Sequence, residues 1–156
     1  MKSSALAKLN TVFLSIALLA FSASGLAAGG NYSSDVDFKP IMKMIDQGRY
    51  ESAIDMLYDE LDVDPDNPDI MALLGFSYRK TQNYDDALTF YQWALKAEPD
   101  HIGANEYLGE LYLETNQVDK AIEQLQILDN LCRNNCKEYS KLKQMIDSSG
   151  QSASNS

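Results

Sequence analysis

The chain has 156 residues and a formal net charge of -10, because 23 acidic residues outnumber 13 basic ones. A surface with this charge repels nucleic acid and anionic lipid headgroups, so neither is an expected partner, and a partner attracted by charge would be basic. The length suits one domain of ordinary size.

Residues 1–28 have the features of an export signal rather than of a folded element. Lys2 and Lys8 provide a positively charged start, and an apolar run extends from Thr11 to Phe21. That run is too short to span a membrane comfortably, and small residues follow it, so we expect a cleavable signal peptide. The expected location is the bacterial periplasm, with no membrane insertion after cleavage. Secretion and an uncleaved anchor are the alternatives.

Two helices are predicted after a flexible lead-in over residues 29–34. The first covers 36–47, although Pro40 moves its start toward Lys39, because proline is tolerated only in the first turn of a helix. The second covers 50–63 and ends before Pro65.

The aspartates of the segment 62–69 alternate as they do in a calcium-binding EF-hand loop. That interpretation fails, because Asn67 stands where the loop needs glycine and Leu73 where it needs a bidentate glutamate. The segment is instead predicted to be a turn, in which Pro65 ends one helix and Asn67 or Asp69 helps to cap the next.

Four further helices are predicted at 68–81, 84–97, 102–115 and 118–131, with polar turns inside each pair. His101 falls in the turn between pairs, and nothing in the sequence supports a metal or catalytic role for it. A last helix is predicted at 137–147, followed by a disordered polar tail at 148–156.

Cys132 and Cys136 lie at the junction with this last helix. In an exported protein such a pair most simply forms a structural disulfide. Free regulatory thiols and a redox pair remain alternatives, although redox motifs favour two intervening residues, and no further Cys or His completes a metal site.

The helices repeat with a period of 34 residues. The segment Pro68–His101 contains Leu74-Gly75, Tyr78, Ala87, Tyr91 and Pro99. Moving forward one period places Leu108-Gly109, Tyr112 and Ala121 at the matching sites, and moving back places Ala53 and Pro65 there. This spacing resembles the tetratricopeptide repeat family. The resemblance implies an all-α solenoid of three helix-turn-helix repeats at about 34–67, 68–101 and 102–135, with a capping helix at 136–147.

The resemblance also implies a concave groove lined by the first helix of each repeat, in which many family members bind a peptide. The family's groove positions correspond here to Phe38, Met42, Phe76, Arg79, Lys80, Glu106, Tyr107, Glu110 and Leu113, with Ile45 and Leu73 equally suited to packing between helices. Members with a carboxylate clamp use Lys and Asn where this chain has Phe38, Met42, Leu73 and Gly103, so that specificity is not expected. The groove should instead accept a hydrophobic segment with basic flanks.

A second candidate interface lies on the opposite, convex side. Phe90 and Trp93 are three residues apart on one helix, and Ile127 occupies the position of Trp93 one repeat later. An apolar strip of this kind can bind a partner, and ordinary packing between repeats is the alternative.

Binding is therefore the expected activity. The sequence shows no nucleophile–base pair, phosphate-binding loop or metal-ligand set, so we expect neither an enzyme nor a cofactor. The first hypothesis is a periplasmic adaptor or assembly factor that binds a protein segment. The alternatives are a thiol-redox protein using Cys132 and Cys136, and a structural subunit that self-assembles by pairing Lys137, Lys141 and Lys143 of one copy with the acidic first repeat of another.

Overall fold

A computed structural model describes the backbone of residues 36–154 and the side chains through residue 149. The proposed signal peptide and lead-in lie outside the described residues. Within the described part there are seven α-helices and no strand. The helices are α1 (Lys39–Asp46), α2 (Tyr50–Val63), α3 (Pro68–Lys80), α4 (Tyr84–Ala97), α5 (Ile102–Glu114), α6 (Val118–Cys132) and α7 (Lys137–Ser154).

The turn inside each helix pair has the same geometry every 34 residues. Gly48, Gln82 and Asn116 have positive φ angles of 70°, 63° and 57°. The backbone N–H of the next residue returns to the carbonyl five residues earlier, with N–O distances of 2.9 Å for Arg49 to Met44 and 2.9 Å for Asn83 to Tyr78. This hydrogen bond satisfies a carbonyl at the helix end and reverses the chain, so antiparallel pairs form.

The turns between pairs are closed by N-capping side chains one period apart. Asn67 accepts hydrogen bonds from the backbone N–H groups of Asp69 and Ile70 at 3.0 and 3.2 Å. His101 takes the same place before α5, where its Nδ1 accepts from the N–H of Ala104 at 3.0 Å. The prediction that Asn67 caps α3 is confirmed.

Small residues allow the helices of a pair to pack closely. Ala53, Ala87 and Ala121 are completely buried on α2, α4 and α6. A Cβ atom added to Gly75 on α3 would lie 2.6 Å from the ring of Tyr91, which is itself fully buried. The glycine is therefore required by the tyrosine that fills the crossing.

The capping helix α7 follows the register of a first helix of a fourth repeat. Leu74, Leu108 and Leu142 are spaced by one period, and all three are buried. A Cβ atom on Gly109 would collide with the side chain of Leu142. Leu142 of α7 lies nearer to this glycine than Gln124 of α6 does. Lys143 stands where the earlier first helices have glycine, so α7 departs from the repeat pattern at this position.

The last helix is longer than the sequence predicted. It continues to Ser154, so the prediction of a disordered tail at 148–156 is wrong for residues 148–154. The hydroxyls of Ser148 and Ser149 donate to the carbonyls of Gln144 and Ile146 at 2.8 and 2.7 Å. Because these serines bond back to the preceding turn, a polar composition is compatible with continued helix.

Candidate functional site

The first helices of the three repeats present a row of apolar and aromatic side chains. We call the accessible part of this row the groove and define it by Phe38, Met42, Phe76, Lys80 and Tyr107. Met42 is 41% exposed and Lys80 is exposed, while the three aromatic residues are half-buried. The rings of Phe76 and Tyr107 have centroids 5.1 Å apart, which joins the α3 and α5 parts of the groove.

The groove is held on its other sides by ring and cation contacts. Tyr50, at the start of α2, packs edge-on against Phe76 with centroids 6.3 Å apart. The Lys80 ammonium lies 5.7 Å from the centre of the same ring. Phe76 therefore joins three helices while leaving part of its ring accessible, as expected of a binding residue held in place before its partner arrives.

A buried ion network lies beside the groove, between α3, α5 and α7. Arg79 contacts Glu110 and Glu114 at 2.5 Å each, and Lys141 contacts Glu106 at 2.8 Å and Glu110 at 2.6 Å. Arg79, Glu106 and Glu110 are at most 5% exposed. The network therefore consists of three carboxylates and two cations.

The two most buried carboxyl groups have pKa values shifted in opposite directions. Burial raises the pKa of Glu106, and the hydrogen bond and charge of Lys141 only partly offset that effect. Burial also acts to raise the pKa of Glu110, but Arg79 and Lys141 together outweigh it and lower that pKa. Glu110 is thus the anion that both cations stabilise, and Glu106 is the carboxyl that is short of positive charge.

This network changes the list of residues that a partner could touch. Arg79, Glu106 and Glu110 are predicted groove residues, but the structure buries all three among their own partners. Lys141 was predicted to take part in self-assembly and not in the groove, although the 34-residue register carries Leu73 to Tyr107 and then to Lys141. Extending the repeat into the last helix would have identified it as a groove position.

The remaining predicted groove residue lies farther along α5. Leu113 is half-buried and lines a cleft with Glu114, Gln144 and Met145, between α5 and α7. Of the two positions that suited packing or groove, Ile45 is 8% exposed and belongs to the core, whereas Leu73 is half-buried.

One of the three residues predicted to form an interface on the convex side is buried. Phe90 is only 5% exposed, because it is stacked on Tyr78 at 5.6 Å and contacts Tyr58 and Trp93 edge-on. It therefore belongs to the core, and its assignment to a second interface is wrong. Trp93 and Ile127 remain 49% and 37% exposed.

The two cysteines join the end of α6 to the start of α7. Their Cα atoms are 5.8 Å apart, a separation that a disulfide bond spans, and their sulfur atoms lie within bonding distance. Arg133 and Asn134 between them have positive φ angles of 50° and 53°, so two successive left-handed residues make the reversal.

Residues 36–154 contain neither a metal-binding cluster nor a membrane-spanning helix. No group of three or more His, Cys, Asp and Glu side chains in this range is arranged to hold a metal ion. None of the helices described here combines the length and apolarity that crossing a bilayer requires.

Several solved structures share this architecture. The first tetratricopeptide domain of human RPAP3 has a TM-score of 0.65 and 22% identity, over 75% of this chain and 91% of that one. The Yersinia enterocolitica type III secretion chaperone SycD, in complex with a peptide of the translocator YopD, has a TM-score of 0.62 and 17% identity, over 74% and 87%. The TPR2B domain of yeast Sti1, in complex with an Hsp70 peptide, has a TM-score of 0.65 and 12% identity, over 72% and 91%.

Sequence comparison leads to the same family. No curated protein matches the chain by sequence. The family model described as tetratricopeptide repeat matches residues 44–92 and 78–146, which together cover more than half of the chain and include all helices from α2 to α6. The protein belongs to the tetratricopeptide repeat family.

Proposed function

We propose that the protein is an exported adaptor or assembly factor that binds a segment of a partner protein in the groove. The observation that carries this proposal is the accessible row of Phe38, Met42, Phe76 and Tyr107, held in place by contacts from three helices. Large rigid side chains that are fixed in advance lose little entropy when a partner binds, which is why such residues dominate interfaces.

The structural neighbours support a peptide as the partner. SycD and the Sti1 domain were solved with peptides of a translocator and of Hsp70. The same architecture thus hosts peptide binding in other proteins, and function on a shared fold depends on the residues of the site. In this chain those residues are apolar and aromatic, so we infer that binding, not catalysis, is the activity.

The charges near the groove indicate the character of the segment. Three carboxylates face only two cations in the ion network, and Glu114 is the carboxylate of the three that solvent reaches. A positive side chain beside Tyr107 would balance this charge. We therefore infer a segment with a hydrophobic anchor for Phe76 and Tyr107 and a basic residue next to it.

The periplasm is the compartment we propose, with secretion as the alternative. The proposal rests on the sequence of residues 1–28 and on the cysteine pair, because disulfides persist in oxidising compartments. We propose a structural disulfide between Cys132 and Cys136, which holds the angle between α6 and α7. A rapidly cycling pair with a potential near that of thiol oxidoreductases would favour the redox alternative, and titration against glutathione distinguishes the two.

The self-assembly alternative loses much of its charge basis in the structure. Lys141 is paired with Glu106 and Glu110, and Lys143 with Asp147 at 2.7 Å. Lys137 is paired with Glu138 at 3.7 Å, so all three lysines proposed to meet a second copy have an acidic partner within the chain. Sedimentation at low and high salt still tests the idea, since screening would dissociate a charge-driven assembly.

The test of the groove is an affinity capture from envelope extract, followed by binding measurements with peptides of the captured protein. The mature protein is compared with a Phe76→Ser, Tyr107→Ser variant whose fold is checked by circular dichroism. The matched control is Tyr58→Ser, which removes a 40% exposed tyrosine from α2 on the convex side. The expected result is one hydrophobic and basic peptide that binds the wild type and the control but not the groove variant. Equal binding to all three proteins would reject the groove.

A further inference from the structure

A pocket on the convex side, separate from the groove, is lined by both apolar and charged residues. It lies between the α2–α3 turn, the start of α3 and the end of α4, and we call it the Trp93 pocket. Its volume is about 460 Å³, and its lining residues are Asp66, Met71, Trp93, Lys96 and Ala97. Met71 is 8% exposed and forms apolar surface, while Trp93 is 49% exposed.

The indole of Trp93 packs against the core on one side and is exposed on the other. Its ring meets the buried Phe90 edge-on, with centroids 5.1 Å apart. Phe90 is in turn stacked on Tyr78. The exposed part of the indole is therefore presented to solvent by a chain of packed rings, a placement that favours a stacking ligand.

The electrostatic surroundings of the pocket are negative. Asp62 lies in the last turn of α2, Asp64 and Asp66 lie in the turn after it, and Glu98 and Asp100 follow α4. The C-terminal ends of α2 and α4, at Val63 and Ala97, add the negative ends of two helix dipoles to these carboxylates, and the N-terminal end of α3 at Pro68 adds one positive end. Lys96 is the one cation among the five lining residues. A positive ligand is favoured over an anion or a neutral group.

We propose that the Trp93 pocket binds an arginine side chain of a partner protein, with the guanidinium stacked on Trp93 and paired with Asp66. Arginine fits each part of the site. Its planar group stacks on an aromatic face and bonds a carboxylate with two parallel N–H groups, and its aliphatic stem packs on apolar surface such as Met71 and Ala97. This site is separate from the groove and does not depend on the function proposed for it.

Tryptophan fluorescence reports on this pocket directly, because Trp93 is the only tryptophan in the sequence. The mature chain is titrated with the peptide acetyl-Gly-Leu-Arg-Leu-Gly-amide at low salt while tryptophan fluorescence is recorded. The matched peptide carries citrulline, which keeps the shape of arginine and removes its charge. The expected result is a saturable fluorescence change with the arginine peptide only, which weakens as salt is raised.

Two substitutions at the rim are expected to act in opposite directions. Asp66→Asn removes the carboxylate and should raise the dissociation constant about ten-fold, whereas Lys96→Gln removes the competing cation and should lower it. The control Asp100→Asn removes a nearby exposed carboxylate that does not line the pocket, and it should have a small effect. Circular dichroism confirms the fold of each variant.

Four results would overturn the proposal. The first is an equal response to the citrulline peptide, and the second is unchanged affinity in Asp66→Asn. The third is loss of the response in Phe76→Ser, because the peptide would then be bound in the groove. The fourth is a concentration-dependent dimer in sedimentation that Trp93→Ser abolishes, because the pocket would then receive a second copy of the chain.

Discussion

Gly75 shows how a single missing side chain determines the crossing of α3 with α4. The ring of Tyr91 occupies the space where a Cβ atom would stand, at 2.6 Å. Tyr91 is fully buried, and its hydroxyl accepts a hydrogen bond from the Arg79 side chain at 3.4 Å, so the ring has little freedom to move. The collision therefore has to be relieved by separation of the two helices.

We predict that Gly75→Ala lowers the free energy of unfolding by about 1–3 kcal/mol, despite the higher helix propensity of alanine. Urea denaturation followed by circular dichroism measures the change. The control is Gly103→Ala on α5, where the nearest foreign atom is in the His101 ring at 3.3 Å, and a change within about 1 kcal/mol is expected. An equal loss in both variants would contradict the argument about Tyr91.

The second prediction concerns Lys141 and the dependence of the fold's stability on pH. Because the folded-state pKa of Glu110 is lowered, ionised Glu110 stabilises the fold at neutral pH, and this contribution is lost as the pH falls through that pKa. The raised pKa of Glu106 acts in the opposite sense, since its contribution is lost as the pH rises through that value. Removing Lys141 leaves both carboxylates with less positive charge at neutral pH.

Lys141→Met is therefore expected to cost about 1–3 kcal/mol at pH 7, less than for a fully buried pair because the lysine side chain is 54% exposed. The cost should be smaller at pH 4, where the carboxyl groups begin to be protonated. Urea denaturation at the two pH values measures it. Lys143→Met, which breaks an exposed pair with Asp147, should leave the stability nearly unchanged at both pH values. A pH-independent cost at Lys141 would show that packing of its stem, not charge, matters.

At the scale of the helices, the N-caps of α3 and α5 perform one task with different residues. Asn67 and His101 both accept hydrogen bonds from the first turn of their helix. His101 also connects successive turns, since its Nε2 lies 3.0 Å from Asp69 Oδ1. The position thus requires an acceptor, and histidine adds a contact to the repeat before it.

We predict that His101→Ala lowers the unfolding free energy by about 1 kcal/mol and that His101→Asn restores most of this loss, because asparagine is among the best N-caps. Thermal denaturation of the two variants and the wild type measures the difference. If asparagine were no better than alanine, the bridge to Asp69, rather than the cap, would be the important contact.

The bounds of the helices were predictable because local chemistry determines them. Pro65 and Asn67 mark one turn, and the polar residues at 81–83 and 115–117 mark others, so the predicted limits of α2 and α4 agree with the structure. Helix α7 was predicted too short, because serine bonding back to its own helix has no compositional signature. Disorder was therefore predicted for the tail from its polar composition alone.

The site was less predictable than the fold, because burial depends on contacts between distant residues. Phe90 occupies a convex position in the repeat, yet Tyr58 and Tyr78 enclose it. Glu110 was predicted at the groove surface, but it is covered by Lys141 on α7. Repeat position indicates the direction of a side chain, and the identity of its neighbours decides whether a partner can reach it.

At the scale of the whole molecule, each described helix pair packs chiefly on its neighbours, so stability should vary along the array. The interior helices α3 and α5 have seven buried residues each, whereas α1 has only Ile41 and Ile45 in the core. In such a stack, the effect of a change is expected to fade with distance from it. Leu142 is a suitable position for a test, since it is fully buried on the terminal helix.

We predict that Leu142→Ala costs about 2–5 kcal/mol and that amide hydrogen exchange locates the loss. Protection should fall most in α5, α6 and α7, because Leu142 packs on Gly109 and closes the end of the third repeat. Protection in α2 and α3 should change less. A uniform loss from α1 to α7 would show instead that the described array unfolds as one cooperative unit, and the Trp93 pocket would then be stabilised by the capping helix despite its distance from that helix.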